Sequence, residues 1–342
     1  MIIISSIFLS IFGLFNLFGL KQELFFRQLI YLIFGFLGYY LLKSIGSHFF
    51  RINAKFFYWF FIGILLITFI VGLEIRGSKR WLNFYFFNFQ SSEFFKVFFI
   101  LFLAEILTIK NILSNSFINF IKIFLFFLLP FIIIFKQPDL GNAMVYFFIF
   151  ITLVMFSTIQ KKYLGYLSGL FIFLMPLGWF LMKDYQKARI LSFISPHLDT
   201  QGTAYNMIQA VITIGSGMFF GRGLGLSTQS RLFFLPENTT DFAFASLVEQ
   251  FGFFGGFFVL IFFTLIFIEL VKKTVHFYHQ KSEEDQKKFL YCLGILSYFA
   301  SQTIINLGMN MGIMPVTGIA LPFISYGGSS AMAILLGLAL LP

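Results

Sequence analysis

Asp241 stands at the start of an apolar run in the stretch "LPENTTDFAFASLVEQFGFFGG", residues 235 to 256. In that place a carboxylate caps the helix behind Thr239 and Thr240 and stabilises the positive end of its dipole. Glu249 follows eight residues later on nearly the same face, roughly 12 Å further along the helix. Inserting a carboxylate that deep in a bilayer costs on the order of 2.5–3.5 kcal/mol, so it must face protein or a wet cavity. Glu105 raises the same question in another apolar run. Ionisable groups of this kind mark functional sites by default.

Three further stretches concentrate charge. "GSKRWLNFYFFNFQSSEFFK" (77–96) carries Lys79, Arg80, Glu93 and Lys96. Glu93 and Lys96 share a face if a helix begins near Ser91 or Ser92, and a capped helix with a local ion pair is the plain reading. "KQPDLGNA" (136–143) places Asp139 between Pro and Leu-Gly, a turn followed by a helix start. The third stretch holds "KDYQKARILSFISP" (183–196) and "GSGMFFGRGLGLSTQSRLFFLPENTTDF" (215–242). Its glycine-rich part is no dinucleotide fingerprint, because no βαβ unit surrounds it. It can turn sharply and offer backbone N–H groups to an anion, with Arg222 and Arg231 close by, or it can be a flexible loop.

The elements that must position these groups are membrane helices. The 342 residues are 59% hydrophobic, 22% aromatic and only 11% charged, against about a quarter charged in a soluble domain. The 57 Phe residues are read as a lipid-packing bias. Spans need roughly 20 apolar residues, and ten segments approach that: 2–20, 28–43, 56–73, 94–109, 116–135, 143–160, 163–182, 242–271, 289–308 and 322–341. The fold class expected is all-α, a single polytopic membrane domain over 1–342 with one large extracytoplasmic loop over 183–241. Residues 1–20 lack a basic start and a cleavage site, so the first segment is expected to stay as a helix. The count of Lys and Arg does not by itself decide orientation. Those on one side crowd into motif-like loops, which places both termini in the cytoplasm. The lone Cys292 excludes an intramolecular disulfide. The net charge of +10 is scattered between apolar runs and suits anionic lipid headgroups or an anionic substrate, not nucleic acid.

Five ordered motifs resemble the SEDS family of bacterial cell-wall polymerases, which includes RodA, FtsW and SpoVE. They are "KRWLNFYFFNFQSSEFFK", "KQPDLG", "YQKARILSFISP", "GSGMFFGRGLGLSTQSRLFFLPENTTDF" and "MPVTGIALPFISYGGSS" (314–330). "STQSRLFFLPE" and "PVTG" look more like RodA than FtsW. The resemblance implies a peptidoglycan glycosyltransferase of the bacterial cytoplasmic membrane, its active site facing outward. It would join lipid II into β-1,4 glycan and release undecaprenyl pyrophosphate, with a class B penicillin-binding protein as partner and cell elongation and shape as its role. The division or sporulation type of polymerase and a lipid II flippase are the alternatives.

The resemblance gives Asp241 the catalytic position, and Glu93 and Lys96 match the "SE..K" pair. Glycosyl transfer needs a base for the acceptor hydroxyl and positive groups for the departing diphosphate. By charge and location Arg80, Lys96, Lys136, Arg189 and Arg222 are the candidates for that clamp, Lys96 and Arg80 foremost. A divalent cation, Mg or Mn, could share the work, although no dedicated metal cluster is visible. One departure stands out: where the family carries a second Glu after Glu249, this chain has Gln250. A solute transporter is a further rival, and it predicts inverted repeats and broken midplane helices. "SYGGSS" (325–330) is read as small residues for close helix packing.

Overall fold

A computed structural model describes residues 1–75, 78–84, 87–108, 117–182, 187, 191–195, 203–280 and 282–342. In chain order its helices are α1 (Ile2–Leu20), α2 (Gln22–Ile45), α3 (Ser47–Ile52), α4 (Ala54–Val71), α5 (Ser91–Ile106) and α6 (Phe117–Lys136). They continue with α7 (Leu140–Phe156), α8 (Lys162–Leu181), α9 (Thr203–Ser216), α10 (Ala243–Tyr278), α11 (Glu283–Asn310) and α12 (Gly328–Ala339). Each of the ten apolar segments falls on one helix. Six, namely α1, α2, α4, α6, α10 and α11, are long and apolar enough to cross a membrane, while α7 and α12 are apolar but shorter. The protein is a polytopic, predominantly helical membrane protein.

Three boundaries depart from hydropathy for physical reasons. α2 begins at Gln22, so the short second segment is a 24-residue helix whose first turn carries Glu23 at the positive dipole end. α10 continues to Tyr278 but is broken at Gly252, with φ 70° and ψ −169°. The last segment is helical only from Gly328, because residues ahead of it form a loop: Ser325 Oγ accepts from Leu321 N at 2.8 Å and donates to Thr240 O.

Contacts gather the chain into two compact units. One comprises 1–29, 166–266 and 302–327; the other comprises 30–165, 267–301 and 328–342. In the second unit α5 is the central helix, buried almost throughout from Ser91 to Ala104, with α4, α7 and α12 packed around it. Burial on all sides explains how a 16-residue helix holds its place without meeting lipid over its whole length. Phenylalanines fill this core: Phe57 and Phe61 stack on Phe98 at 4.9 and 4.7 Å, and Phe127 stacks on Phe150 at 4.4 Å. Offset and edge contacts of this kind add about 0.5–1.5 kcal/mol each beyond burial. Ahead of α5 the chain forms a small antiparallel sheet, β1 (Leu73–Ile75), β2 (Ser78–Asn83) and β3 (Asn88–Phe89), in that order. The sequence reading contained no strands; the alternating "SKRWLN" is too short to signal one. Tyr31 lies on Gly328, where any Cβ would meet its ring at 2.5 Å, so one glycine of "SYGGSS" does serve close packing.

In the first unit α9, which lies inside the stretch assigned to the large loop, buries Met207 and Ala210 against Leu235, Phe242, Ala245, Met309 and Val316. α1 packs along α10 through Asn16. Its amide donates to Ala243 O at 3.2 Å and Ser246 Oγ at 3.1 Å, and Gln250 Nε2 donates to Asn16 Oδ1 at 2.7 Å.

Candidate functional site

Each unit carries buried polar side chains. In the second unit a group of them grows from the start of α5. Glu93 and Lys96, one turn apart, form the expected ion pair at 2.8 Å. The plain reading made this a local ion pair on a capped helix, and the structure buries it: Lys96 has no exposed surface and Glu93 is 3% exposed. The helix is not side-chain capped, since its N-cap is Gln90, without a capping bond. Lys96 Nζ also donates to Asn142 Oδ1 at 2.8 Å and lies 4.5 Å from the centre of the Tyr298 ring. The Tyr298 hydroxyl donates to Glu93 Oε2 at 3.2 Å. A buried charge pair is tolerated when other polar groups support it, and here Lys96 Nζ meets two oxygens and a ring face while each Glu93 oxygen has a donor.

The network reaches Arg80 through α7. Asp139 caps that helix, its side chain accepting from Asn142 N, and its Oδ2 accepts from Asn142 Nδ2 at 2.9 Å and Gln90 Nε2 at 3.3 Å. Arg80, on β2, stands 3.6 Å from Asp139 through NH1. It donates from Nε to Gln137 O at 3.4 Å and from NH2 to Pro138 O. The guanidinium is thus fixed on the α6–α7 turn with 15% of the side chain exposed. The sequence placed Asp139 correctly at a turn and helix start and gave it little functional weight. Asn142, Gln90 and Tyr298 were not singled out. "KQPDLGNA" was the available signal for Asn142, since it sets an amide three residues beyond the capping acid.

In the first unit Asp241 sits two residues ahead of α10 and is partly exposed. Its main chain is fixed on α11: Asn306 and Asn310 each donate an amide N–H to Asp241 O at 3.0 Å. Asn310 Oδ1 accepts from Ala245 N at 3.0 Å, satisfying a first-turn donor of α10. The "MPVTGIALPFISYGGSS" segment closes the other side, with Tyr326 N donating to Thr239 O at 2.8 Å. Gly318 has φ +75°, and a Cβ there would lie 3.5 Å from Asp241 Oδ2. The asparagines at 306 and 310 escaped the sequence reading. An amide pair four apart in an otherwise apolar helix was the signal, because each must find a partner in lipid or protein.

Glu249 is fully buried, and its carboxylate is taken up by the chain itself. Its Oε1 accepts from Thr228 N at 2.8 Å and Gln229 N at 2.7 Å, and its Oε2 from Ser230 N at 3.0 Å and Ser230 Oγ at 2.6 Å. The glycine-rich loop does offer backbone N–H groups to an anion, and the anion that residues 228–230 hold is this carboxylate. Gln250 acts similarly, accepting from Gly225 N at 3.1 Å. A donor left buried without its partner costs about 1–3 kcal/mol. Glu249→Ala is therefore expected to lower the unfolding temperature of the detergent-solubilised protein clearly, with Glu249→Gln intermediate because one acceptor oxygen survives. An unchanged melting temperature in both would refute the bracing role. Glu105 is not deep: it pairs with Lys287 at 2.9 Å, both side chains about a fifth exposed.

The break in α10 meets one expectation of the transporter reading. The backbone groups it frees are, however, taken up by the loop: Arg222 N donates to Glu249 O, Gly223 N to Gln250 O, and Phe253 N to Met218 O. Among the remaining clamp candidates, Lys136 is exposed at the end of α6, Arg222 is exposed and donates to Ser216 O at 3.2 Å, and Arg189 lies outside the described residues. Among the described residues no three His, Cys, Asp or Glu side chains come together.

The family model described as Cell cycle protein, covering FtsW, RodA and SpoVE, matches residues 1–342. The chain belongs to the FtsW/RodA/SpoVE family. Within it, the chain is 32% identical over 327 residues to the probable peptidoglycan glycosyltransferase FtsW of Buchnera aphidicola subsp. Schizaphis graminum, covering 95% of this chain and 89% of that one. It is 33% identical over 320 residues to stage V sporulation protein E of Bacillus subtilis, covering 92% and 85%. A chain of a solved peptidoglycan synthase complex, described as coordinating polymerization and crosslinking, superposes with a TM-score of 0.83 at 26% identity, over 99% of this chain and 95% of that one. A mutant of the rod shape determining protein RodA of Thermus thermophilus superposes at 0.72 and 25% identity, with coverage of 99% and 95%. The FtsW/RodA/SpoVE fold thus extends over nearly the whole chain.

Proposed function

We propose that this protein is a peptidoglycan glycosyltransferase that polymerises lipid II into β-1,4 glycan strands and releases undecaprenyl pyrophosphate. Membership in a family whose relatives bear that name supports the activity. The observation that carries the assignment of chemistry is Asp241: its main chain is anchored by Asn306 and Asn310 while its side chain keeps partial exposure at a helix start. A base needs that combination of fixed position and access.

In this reading Asp241 takes the proton of the acceptor sugar's 4-hydroxyl as that oxygen bonds to the donor's anomeric carbon. The bond from that carbon to the diphosphate oxygen breaks, and the diphosphate leaves with the electron pair. A diphosphate is stable as an anion, so no second carboxyl is needed to protonate it, unlike most glycoside hydrolysis. Arg222, in the same unit as Asp241, supplies positive charge for it. In the other unit Glu93 and Lys96 hold Asn142, and through it Asp139, on which Arg80 rests. The proton on Asp241 passes to water before the next cycle.

Both termini are placed in the cytoplasm and Asp241 on the outer side of the bacterial cytoplasmic membrane, on the distribution of Lys and Arg. A class B penicillin-binding protein is the proposed partner, in keeping with the likeness to a synthase complex. "STQSRLFFLPE" and "PVTG" favour cell elongation and shape, and the FtsW and SpoVE names among its relatives favour the division or sporulation role as the alternative. The purified protein, given labelled lipid II and such a partner, is expected to yield glycan polymer. Lipid II that crosses a vesicle membrane without polymerising would instead favour a flippase.

A further inference from the structure

The segment 217–234 joins α9 to the turn before Asp241, inside the stretch read as the large extracytoplasmic loop. Its side chains are not those of a loop in water. Phe220 is 83% exposed and Phe219 66% exposed, and Met218, Leu232, Phe233 and Phe234 are exposed too. An apolar surface of that extent is rare on a protein bathed in water.

Much of the segment's backbone is closed upon the protein. Gly221 N donates to Gly217 O, Arg222 N to Glu249 O, Gly223 N to Gln250 O and Leu226 N to Gly223 O. Gly225 N is taken by Gln250, and the N–H groups of 228, 229 and 230 by Glu249. Water would satisfy these groups at no such structural expense. In hydrocarbon, irregular backbone persists only where its polar groups are met from within.

Depth is fixed by α10. Phe253 N donates to Met218 O at 2.8 Å and Phe254 N to Phe219 O at 3.3 Å. The Phe220 ring lies 5.4 Å from that of Phe254, and Phe219 lies 6.2 Å from Phe253. Phe253 and Phe254 lie within a helix suited to span a membrane, and both are exposed. The loop's rings therefore share their level. Exposed basic charges stand by them: Arg222, Arg231 and Lys21, whose Nζ lies 4.9 Å over the Phe233 ring. Lys and Arg reach from an apolar stem to the interface, where anionic lipid phosphates attract them.

We infer that residues 217–234 are immersed in the bilayer leaflet on the side of Asp241, their Phe, Leu and Met side chains in hydrocarbon and Lys21, Arg222 and Arg231 among anionic lipid headgroups. Glu249 and Gln250 make this possible by closing the backbone of a segment that has no regular structure. The inference does not depend on the reaction the protein catalyses.

The single native cysteine, Cys292, permits a direct test. On a Cys292→Ala parent, Phe220→Cys, Phe233→Cys and Leu226→Cys each receive a nitroxide and are placed in phosphatidylethanolamine–phosphatidylglycerol vesicles. Variants that melt with the parent are compared for collisions with oxygen and with a water-soluble nickel chelate. Oxygen should dominate severalfold at these positions, and the chelate at Ser282→Cys, which is exposed between α10 and α11. Chelate access at the three positions, or access to neither reagent, overturns the inference. In parallel, the wild-type chain in vesicles carrying a lipid with a diazirine on its acyl chain should yield adducts within 217–234, and adducts confined to the helices would overturn it independently of any substitution.

Discussion

Asp241→Asn is expected to reduce glycan polymerisation from lipid II by about 10²–10⁴-fold, the usual contribution of a positioned general base, with little change in melting temperature. The substitution keeps the shape of the side chain. It leaves the main-chain carbonyl that Asn306 and Asn310 hold, and the first turn of α10 secured by Asn310, undisturbed. An amide, however, takes no proton at neutral pH. Polymer length and yield from labelled lipid II with a transpeptidase partner, beside a thermal melt of each protein, measure the two effects separately. A variant that polymerises as wild type would reduce Asp241 to a helix-start residue, and one that fails to fold would show that its side chain is structural.

The second large effect concerns stability. Lys96→Met leaves Glu93 charged and buried without its cation, and Glu93→Gln does the converse to Lys96. Breaking a buried pair from one side costs about 3–5 kcal/mol. The double variant should recover much of that, because a neutral, well-filled site has no charge to compensate, although Asn142 and Tyr298 lose partners. Unfolding free energies of the four proteins in one detergent form the cycle. A coupling within about 0.5 kcal/mol of zero, the level of independent sites, would show that the pair does not hold the second unit together. An Arg substituted for Lys96 should not rescue it, since a planar fork does not fit donors arranged for an ammonium.

Much of this was legible in the sequence, and the part that was not has a common cause. The apolar segments were visible because a run of lipid-compatible residues is a local property, and the helix starts at Asp139 and Ser91 were visible because turn chemistry is local too. The value of a polar residue once the chain is packed is not local. Glu249 read as a costly membrane carboxylate until its donors appeared on residues 228–230, and Lys96 read as half of a local pair until Asn142 and Tyr298 enclosed it. Arg80 meets Asp139 only because a short hairpin, too brief to leave an alternating pattern, carries it there. Gly252 looked like one glycine among several, and its break depends on a loop more than thirty residues upstream. Asn306 and Asn310 were passed over because a scan for charge does not register amides.

The contact of Asn16 with Ser246 joins residues 230 positions apart. Ribosomes add about 5–20 residues each second, so the first helix waits on the order of ten to fifty seconds in the bilayer before its partner exists. During that interval its amide has only lipid, water at the interface or a neighbouring protein to turn to. The unit that holds Asp241 draws on residues 1–29, 166–266 and 302–327, so a nascent chain halted after α8 holds only its first pieces. That unit can close only once residues beyond 300 have left the ribosome.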